Sequence, residues 1–266
     1  GLLHPERMYL KVSEVKRETE STLSFTLVPD KARGTDRLAA FKAGQYLSLG
    51  VMIDGKRITR NYSLSSTPRE AEEGRYRITV REKKNGYVSP FLFENWKEGT
   101  EVESSGPVGN FTYEGLRDKP SVIAIAGGCG ITPVYSIVKN SLETDKETEF
   151  TILYGIRNAQ DIIFKDELRK LEEIYGKRVE VYPVASDPDP DWKGEKGLIT
   201  AELIRTLSGG VENKSFFICG PQAMYTFLDK ELAKLHLPAR LVRREVFGEA
   251  EEPRRLPGFP EGNEAK

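Results

Sequence analysis

The residues best suited to chemistry in this chain gather around glycine. Ala126-Gly127-Gly128-Cys129-Gly130-Ile131-Thr132-Pro133 follows a continuous apolar run, 121–126, and opens a segment with helical character. Glycine lets the backbone pass close to a bulky anion. The free N–H groups of a helix start donate to that anion, and the helix dipole adds about 0.3–1 kcal/mol. Three glycines at one strand-to-helix turn therefore point to a phosphate-bearing nucleotide; a plain tight turn accounts for one or two of them. Their spacing is not the G-x-G-x-x-G of the common dinucleotide fingerprint. A second turn of this kind, Phe216-Phe217-Ile218-Cys219-Gly220-Pro221, closes a later apolar run. By itself Cys219 reads more readily as a buried core thiol, and only its pairing with the first motif reverses that order. Acid–base and nucleophilic chemistry find little footing. The two histidines, His4 and His236, have no serine or carboxylate context, and the pairs Glu72-Glu73 and Glu172-Glu173 suit solvated faces.

The elements that must position these turns fall into two groups. From Arg7 to about Phe111, short runs such as 8–12, 23–27, 45–49 and 76–80 carry alternating, β-branched or aromatic residues. Asp54-Gly55 between 51–53 and 57–59 signals a hairpin, and one helix-like piece, 88–95, interrupts the strands. This pattern predicts a small antiparallel barrel with one helix across it. From Pro120 strands alternate with helices: strands at 121–126, 150–154, 179–183 and 215–218, helices at 133–142, 164–174, 200–206 and 221–235. Thr200 and Asp161 suit N-caps or turn residues. Such alternation predicts an α/β doubly wound parallel sheet. The expected division is a barrel domain over residues 5–116, a parallel-sheet domain over 117–248 and a tail over 249–266.

Taken together, the motifs resemble those of the ferredoxin–NADP⁺ reductase superfamily. Gly-Gly-Cys-Gly-Ile-Thr-Pro is similar to its nicotinamide-domain motif and Cys219-Gly220-Pro221 to its Cys-Gly-Pro. Arg60-Asn61-Tyr62-Ser63 resembles the flavin motif Arg-x-Tyr-Ser, although an amphipathic strand would read the same way. Gly86-Tyr87-Val88-Ser89 resembles the second flavin-phosphate element, although Ser89 could equally cap a surface helix. Gly106-Pro107-Val108-Gly109-Asn110-Phe111 matches the segment that closes the barrel, and Glu245-Val246-Phe247 a terminal Glu-x-Phe.

The resemblance implies a flavin-binding antiparallel β-barrel joined to a doubly wound NAD(P)-binding domain, and an enzyme that moves hydride from nicotinamide C4 to flavin N5, then single electrons onward. It implies a phosphate contact for Arg60, an aromatic plane against the isoalloxazine for Tyr62 and a hydroxyl near N5 for Ser63. Backbone at Gly86, Val88 and Ser89 would meet the flavin phosphates. Gly127, Gly128, Gly130, Gly220 and Pro221 would frame the nucleotide, Thr132 and Cys219 would position the nicotinamide, and Glu245 and Phe247 would edge the site. FAD is favoured over FMN because both phosphate elements are present. In this superfamily the adenosine ribose is read after the third strand of the nucleotide domain. Here Ser186-Asp187 places a carboxylate where a 2′-phosphate would need a cation, so NADH is favoured over NADPH, with Arg157 as the counterweight. Like charges about 4 Å apart cost around 4 kcal/mol at an effective dielectric of 20. The other reading is a non-catalytic nucleotide-sensing or electron-transfer subunit of a larger complex.

The 266 residues carry 40 basic and 41 acidic side chains, for a net charge of −1, which gives no sign of a nucleic-acid partner. No apolar run is long enough for membrane insertion. Two cysteines provide neither a disulfide framework nor a metal-ligand cluster, and a cytoplasmic location is expected. The Pro- and charge-rich stretch 249–266 reads as a linker. With Gly at position 1, it suggests an excised module, and the resemblance, one branch of which continues into a plant-type ferredoxin, implies that a ferredoxin-type 2Fe–2S domain followed it; a native tail is the plainer alternative. The expected partner is that fused domain or a separate redox protein.

Overall fold

The computed structural model describes residues 5–247, so the expected linker at 249–266 lies outside the described residues. In the first half, β1 (Met8–Thr19), β2 (Thr22–Pro29), β3 (Tyr46–Ile53), β4 (Lys56–Ser63), β5 (Tyr76–Arg81) and β6 (Glu101–Ser104) form an antiparallel sheet in the order β4-β3-β6-β1-β2-β5. A bridge between Leu64 and Ile78 brings the β4 and β5 edges together and closes the barrel. Alternate residues point inward, so Leu10, Phe25, Leu27, Leu47, Leu49 and Ile78 are fully buried in its core. Asp54 and Gly55, with φ of 49° and 72°, make the two-residue turn between β3 and β4; positive φ at both positions matches the twist of the strands.

Two helices interrupt the strands. The expected one is α2 (Val88–Asn95). The other, α1 (Pro68–Glu72), departs from the sequence reading. It forms because Thr67 accepts from the Glu70 N–H while the Glu70 carboxylate accepts from the Thr67 N–H at 2.9 Å, a closed capping box with Pro68 in the first turn.

The second half is a parallel sheet of β7 (Ser121–Gly127), β8 (Glu149–Ile156), β9 (Val179–Ala185), β10 (Glu195–Lys196), β11 (Ser215–Pro221) and β12 (Val242–Phe247), ordered β10-β9-β8-β7-β11-β12. The helices are α3 (Ile131–Thr144), α4 (Lys165–Tyr175), α5 (Ala201–Ser208) and α6 (Gln222–Ala233). Strands β10 and β12 are additions to the four the sequence predicts. Thr200 caps α5 by accepting from the Leu203 N–H at 3.1 Å. Asp161 instead ends a short 3-10 turn, and α4 starts after Phe164, whose φ is +60°. The chain winds outward one way through β8 and β9 and the other way through β11 and β12. The topological switch point therefore falls between β7 and β11, where such sheets open a crevice beyond the strand ends.

The junction between the halves is tied down by Asp118. Its buried carboxylate accepts from the Glu114 N–H at 2.9 Å and pairs with Arg243 of β12, also at 2.9 Å. No helix among the described residues is long and apolar enough to cross a membrane.

Candidate active site

At the switch point lies a cleft of about 440 Å³. Its floor is formed by Gly127 at the end of β7, Gly128 and Gly130 just beyond it, and Pro221 at the end of β11. Arg157, Ser186 and Leu198 line the β8–β10 side, and Met224 and Phe227 of α6 the other. Arg81 reaches in from the barrel and Phe247 from β12.

The two glycine turns touch. A Cβ added at Gly130 would sit 2.1 Å from the Cys219 carbonyl oxygen, a separation no side chain tolerates. Gly128 has φ +52°, and Gly128–Gly130 form a single 3-10 turn that feeds α3 with no side chain capping its first amides. A Cβ at Gly127 or Gly220 would come within 2.6 Å of the Met224 thioether group, which lies across both glycines. A slot with a backbone floor, an uncapped helix N-terminus and a cation at its rim suits a dinucleotide phosphate.

Most of the expected nucleotide residues gather here, but not all face the cleft. Thr132 is buried and its hydroxyl donates to the Cys129 carbonyl, so that group closes the turn. Cys219 is fully buried, and burial first, then the nearby Glu245 carboxylate, push its thiol well above the ordinary value. It stays a neutral, space-filling group. Glu245 stands opposite Cys219 in the β11–β12 register, and Phe247 opposite Pro221. The Glu245 Oε2 atom is buried with no hydrogen-bond partner, and burial raises its carboxyl to about 7. Tyr225 anchors this edge, its hydroxyl lying 2.9 Å from both the Ile218 and the Glu245 carbonyl oxygens. At the expected ribose position Arg157 and Asp187 form an exposed pair at 3.5 Å, beside Ser186.

On the barrel, Arg60, Tyr62 and Ser63 follow one another along β4. Ser63 is buried, Tyr62 packs partly on the core, and Arg60 is half-buried, with Nη1 donating to the Thr59 carbonyl at 2.9 Å. Gly86 and Tyr87 lead into α2. Ser89 does not cap that helix: its hydroxyl oxygen accepts from the Lys83 N–H at 2.9 Å. No side chain caps the first turn of α2, which leaves amide donors free for an anion. The barrel thus presents a cation, an aromatic ring and a second uncapped helix start, a donor set that fits a flavin with a diphosphate.

Strand β5 joins the two regions. Its residues Arg77, Thr79 and Arg81 point alternately off the barrel toward the parallel-sheet half. The Thr79 carbonyl accepts from the Cys129 thiol at 3.5 Å, and an Arg81 Nη1 lies 2.9 Å from where a Gly128 Cβ would stand. Arg81 was not foreseen from sequence. The signal was present as three polar residues at period two beside buried Ile78 and Val80.

A barrel with a flavin donor set and a doubly wound sheet with a nucleotide slot at its switch point define a two-domain flavin- and nicotinamide-dependent oxidoreductase. Residues 10–113 match the oxidoreductase FAD-binding domain family and residues 124–230 the oxidoreductase NAD-binding domain family. One component of the Escherichia coli 1,2-phenylacetyl-CoA epoxidase is 30% identical over 244 residues, covering 90% of this chain and 67% of that protein. NADH-cytochrome b5 reductase 1 of Cryptococcus neoformans is 32% identical over 216 residues, covering 78% and 72%. The FAD/NAD-binding domain of a Vibrio cholerae nitric oxide dioxygenase superposes with a TM-score of 0.78 at 27% identity, covering 91% of this chain and 98% of that one. The chain belongs to the oxidoreductases that join an FAD-binding domain to an NAD-binding domain and is an FAD-dependent NAD(P)H oxidoreductase, with the fold of a ferredoxin NADP⁺ reductase.

Proposed function

We propose that this chain takes hydride preferentially from NADH and passes electrons to a separate or fused redox protein in the cytoplasm. The division of labour falls near residues 116 and 117. Bound FAD supplies the redox chemistry, taking up a hydride and giving electrons back singly. The protein binds and aligns. Arg60 and the amides of Val88 and Ser89 hold the flavin diphosphate, and Gly86, whose own N–H donates to the Lys83 carbonyl, lets the backbone come close to it. Tyr62 flanks the ring, and Ser63 offers a hydroxyl at its edge. Gly127, Gly128 and Gly130 admit the nucleotide against the start of α3, with Arg81 neutralising its phosphates. Buried Thr132 and Cys219 with Gly220 and Pro221 shape the nicotinamide end, and Glu245 and Phe247 close it against water.

The observation that carries this reading is the contact between Gly130 and the Cys219 carbonyl, which makes one slot from two motifs. The NADH preference is supported by the Arg157–Asp187 pair, because Arg157 already has a carboxylate beside it. A protein acceptor is supported by relatives named for a cytochrome b5 and for an epoxidase built from several chains. Anaerobic mixing with each nucleotide, followed at the flavin absorbance, tests the reading. Rapid bleaching by NADH is expected. No bleaching of correctly loaded protein by either nucleotide would overturn it.

A further inference from the structure

Arg77 sits at the centre of the seam between the two halves. It projects from β5 of the barrel and is mostly shielded, with 18% of its side chain exposed. Nη1 and Nη2 fork onto both carboxylate oxygens of Glu167 on α4, at 3.0 and 3.1 Å. Nε donates to the Ser65 hydroxyl at 3.0 Å and Nη2 to the Ser65 carbonyl at 3.1 Å. The guanidinium also lies 4.7 Å from the Phe164 ring centroid and 5.5 Å from that of Tyr135. Around this core, the Ser136 hydroxyl donates to the Ser66 carbonyl at 2.7 Å, Lys139 pairs with Glu70 at 3.1 Å, and Lys16 reaches Glu167 at 3.0 Å.

The identities of these partners matter. Ser65 and Ser66 end the segment that begins at Arg60, two and three residues beyond Ser63. Tyr135 and Ser136 sit one turn along α3 from Thr132, on the helix that the glycine loop opens. One guanidinium therefore ties the strand end carrying the flavin motif to α4 through Glu167 and packs on Tyr135 of α3, the helix carrying the nucleotide motif. A planar fork fixes direction as well as distance, which a lysine at the same place cannot do.

We propose that Arg77, through its fork on Glu167, is a positioning residue for hydride transfer, setting the nucleotide half against the flavin half. This rests on the reductase reading, and the two fail differently: a parent protein that NADH does not bleach sinks the reading, whereas the proposal is judged only by variants against an active parent.

Arg77→Lys and Glu167→Gln, each purified with FAD, would be mixed anaerobically with saturating NADH. The flavin reduction rate should fall at least tenfold in both. FAD content, the dissociation constant for NADH and reoxidation by ferricyanide should stay within about twofold of the parent. The long-wavelength charge-transfer absorbance between reduced protein and NAD⁺ should weaken in step with the rate. In protein without nucleotide, amide hydrogen exchange should quicken at 65–66 and 135–136 and stay unchanged at 46–53 in the far barrel wall. The double variant should be no slower than the slower single one, since both remove the same contact. If Arg77→Lys does not fold, Glu167→Gln alone carries the test, because it leaves the barrel sequence intact. Reduction within twofold of the parent, or slowing matched by loss of FAD or of NADH affinity, overturns the proposal.

Discussion

Gly130 and Cys219 are in backbone contact: a β-carbon on the first would lie 2.1 Å from the carbonyl oxygen of the second. Neither partner can yield, because Cys219 is paired on one side with Ala126 of β7 and on the other with Glu245 of β12. Gly130→Ala should therefore destabilise the chain by about 3 kcal/mol, the upper part of the range for forced overpacking. Urea denaturation measures the cost. The barrel should keep its flavin while reduction by NADH is lost, and a variant as stable as the parent would mean that the two turns are free to separate.

Cys219→Ala should leave FAD bound and slow flavin reduction by NADH about tenfold. The thiol is buried and pushed well above its ordinary value, so the parent rate should show no step from thiolate formation between pH 7 and 9. Stopped-flow traces of both proteins across that interval decide it. Equal rates would remove Cys219 from the site.

Asp187→Ser removes the carboxylate beside Arg157 and frees the cation for a 2′-phosphate. NADPH should then reduce the flavin at concentrations about tenfold lower than in the parent, with little change for NADH. The pair is exposed, so its own contribution to stability is at most about 1 kcal/mol, and melting temperature should hardly move. An unchanged preference would place ribose recognition elsewhere in the cleft.

Glu245 gives stability a pH dependence of defined sign. Burial raises its carboxyl from an ordinary 4.5 to about 7, so between these values the folded chain holds more protons than the unfolded one. Its contribution is fully present below pH 4.5 and is lost as pH rises toward and through 7, with a slope of at most about 1.4 kcal/mol per unit. Glu245→Gln should flatten this part of the profile and gain stability relative to the parent at pH 8. Denaturation midpoints at pH 5, 6, 7 and 8 measure it; parallel profiles for the two proteins would show that Glu245 is solvated.

Arg81→Met should raise the NADH concentration needed for half-maximal flavin reduction about tenfold and leave FAD content unchanged. Loss of flavin instead would assign Arg81 to the other cofactor.

What could be read from sequence was local. The hairpin at Asp54-Gly55, the buried run of β7, the glycine loop after it and the Thr200 cap each depend on neighbours a few residues apart. Thr67-Pro68-Arg69-Glu70 spells a capping box just as plainly, but α1 is five residues long and has no apolar period to draw attention. Strand β12 was hidden by Arg243-Arg244-Glu245, three charges on an edge strand whose pairing is supplied by β11. Arg77 and Glu167 are 90 residues apart, and nothing near either one announces the other. The burial that shifts Glu245 is likewise a product of the assembled sheet.

The pleat of β5 also bears on how the two halves can be exchanged. Arg77, Thr79 and Arg81 stand at two-residue intervals, about 7 Å apart along the strand, and meet Glu167, Cys129 and the rim of the cleft in turn. The surface that receives the nucleotide half is therefore written in a strand some forty residues before the junction at Asp118. A chimaera spliced at the junction would keep its covalent continuity yet match one protein's ruler to another's notches. Carrying the Arg77 and Arg81 side chains along with the donor's nucleotide half restores two of these contacts, the one to Cys129 being made by the Thr79 main chain, and moving that face by a single residue would turn the side chains into the barrel.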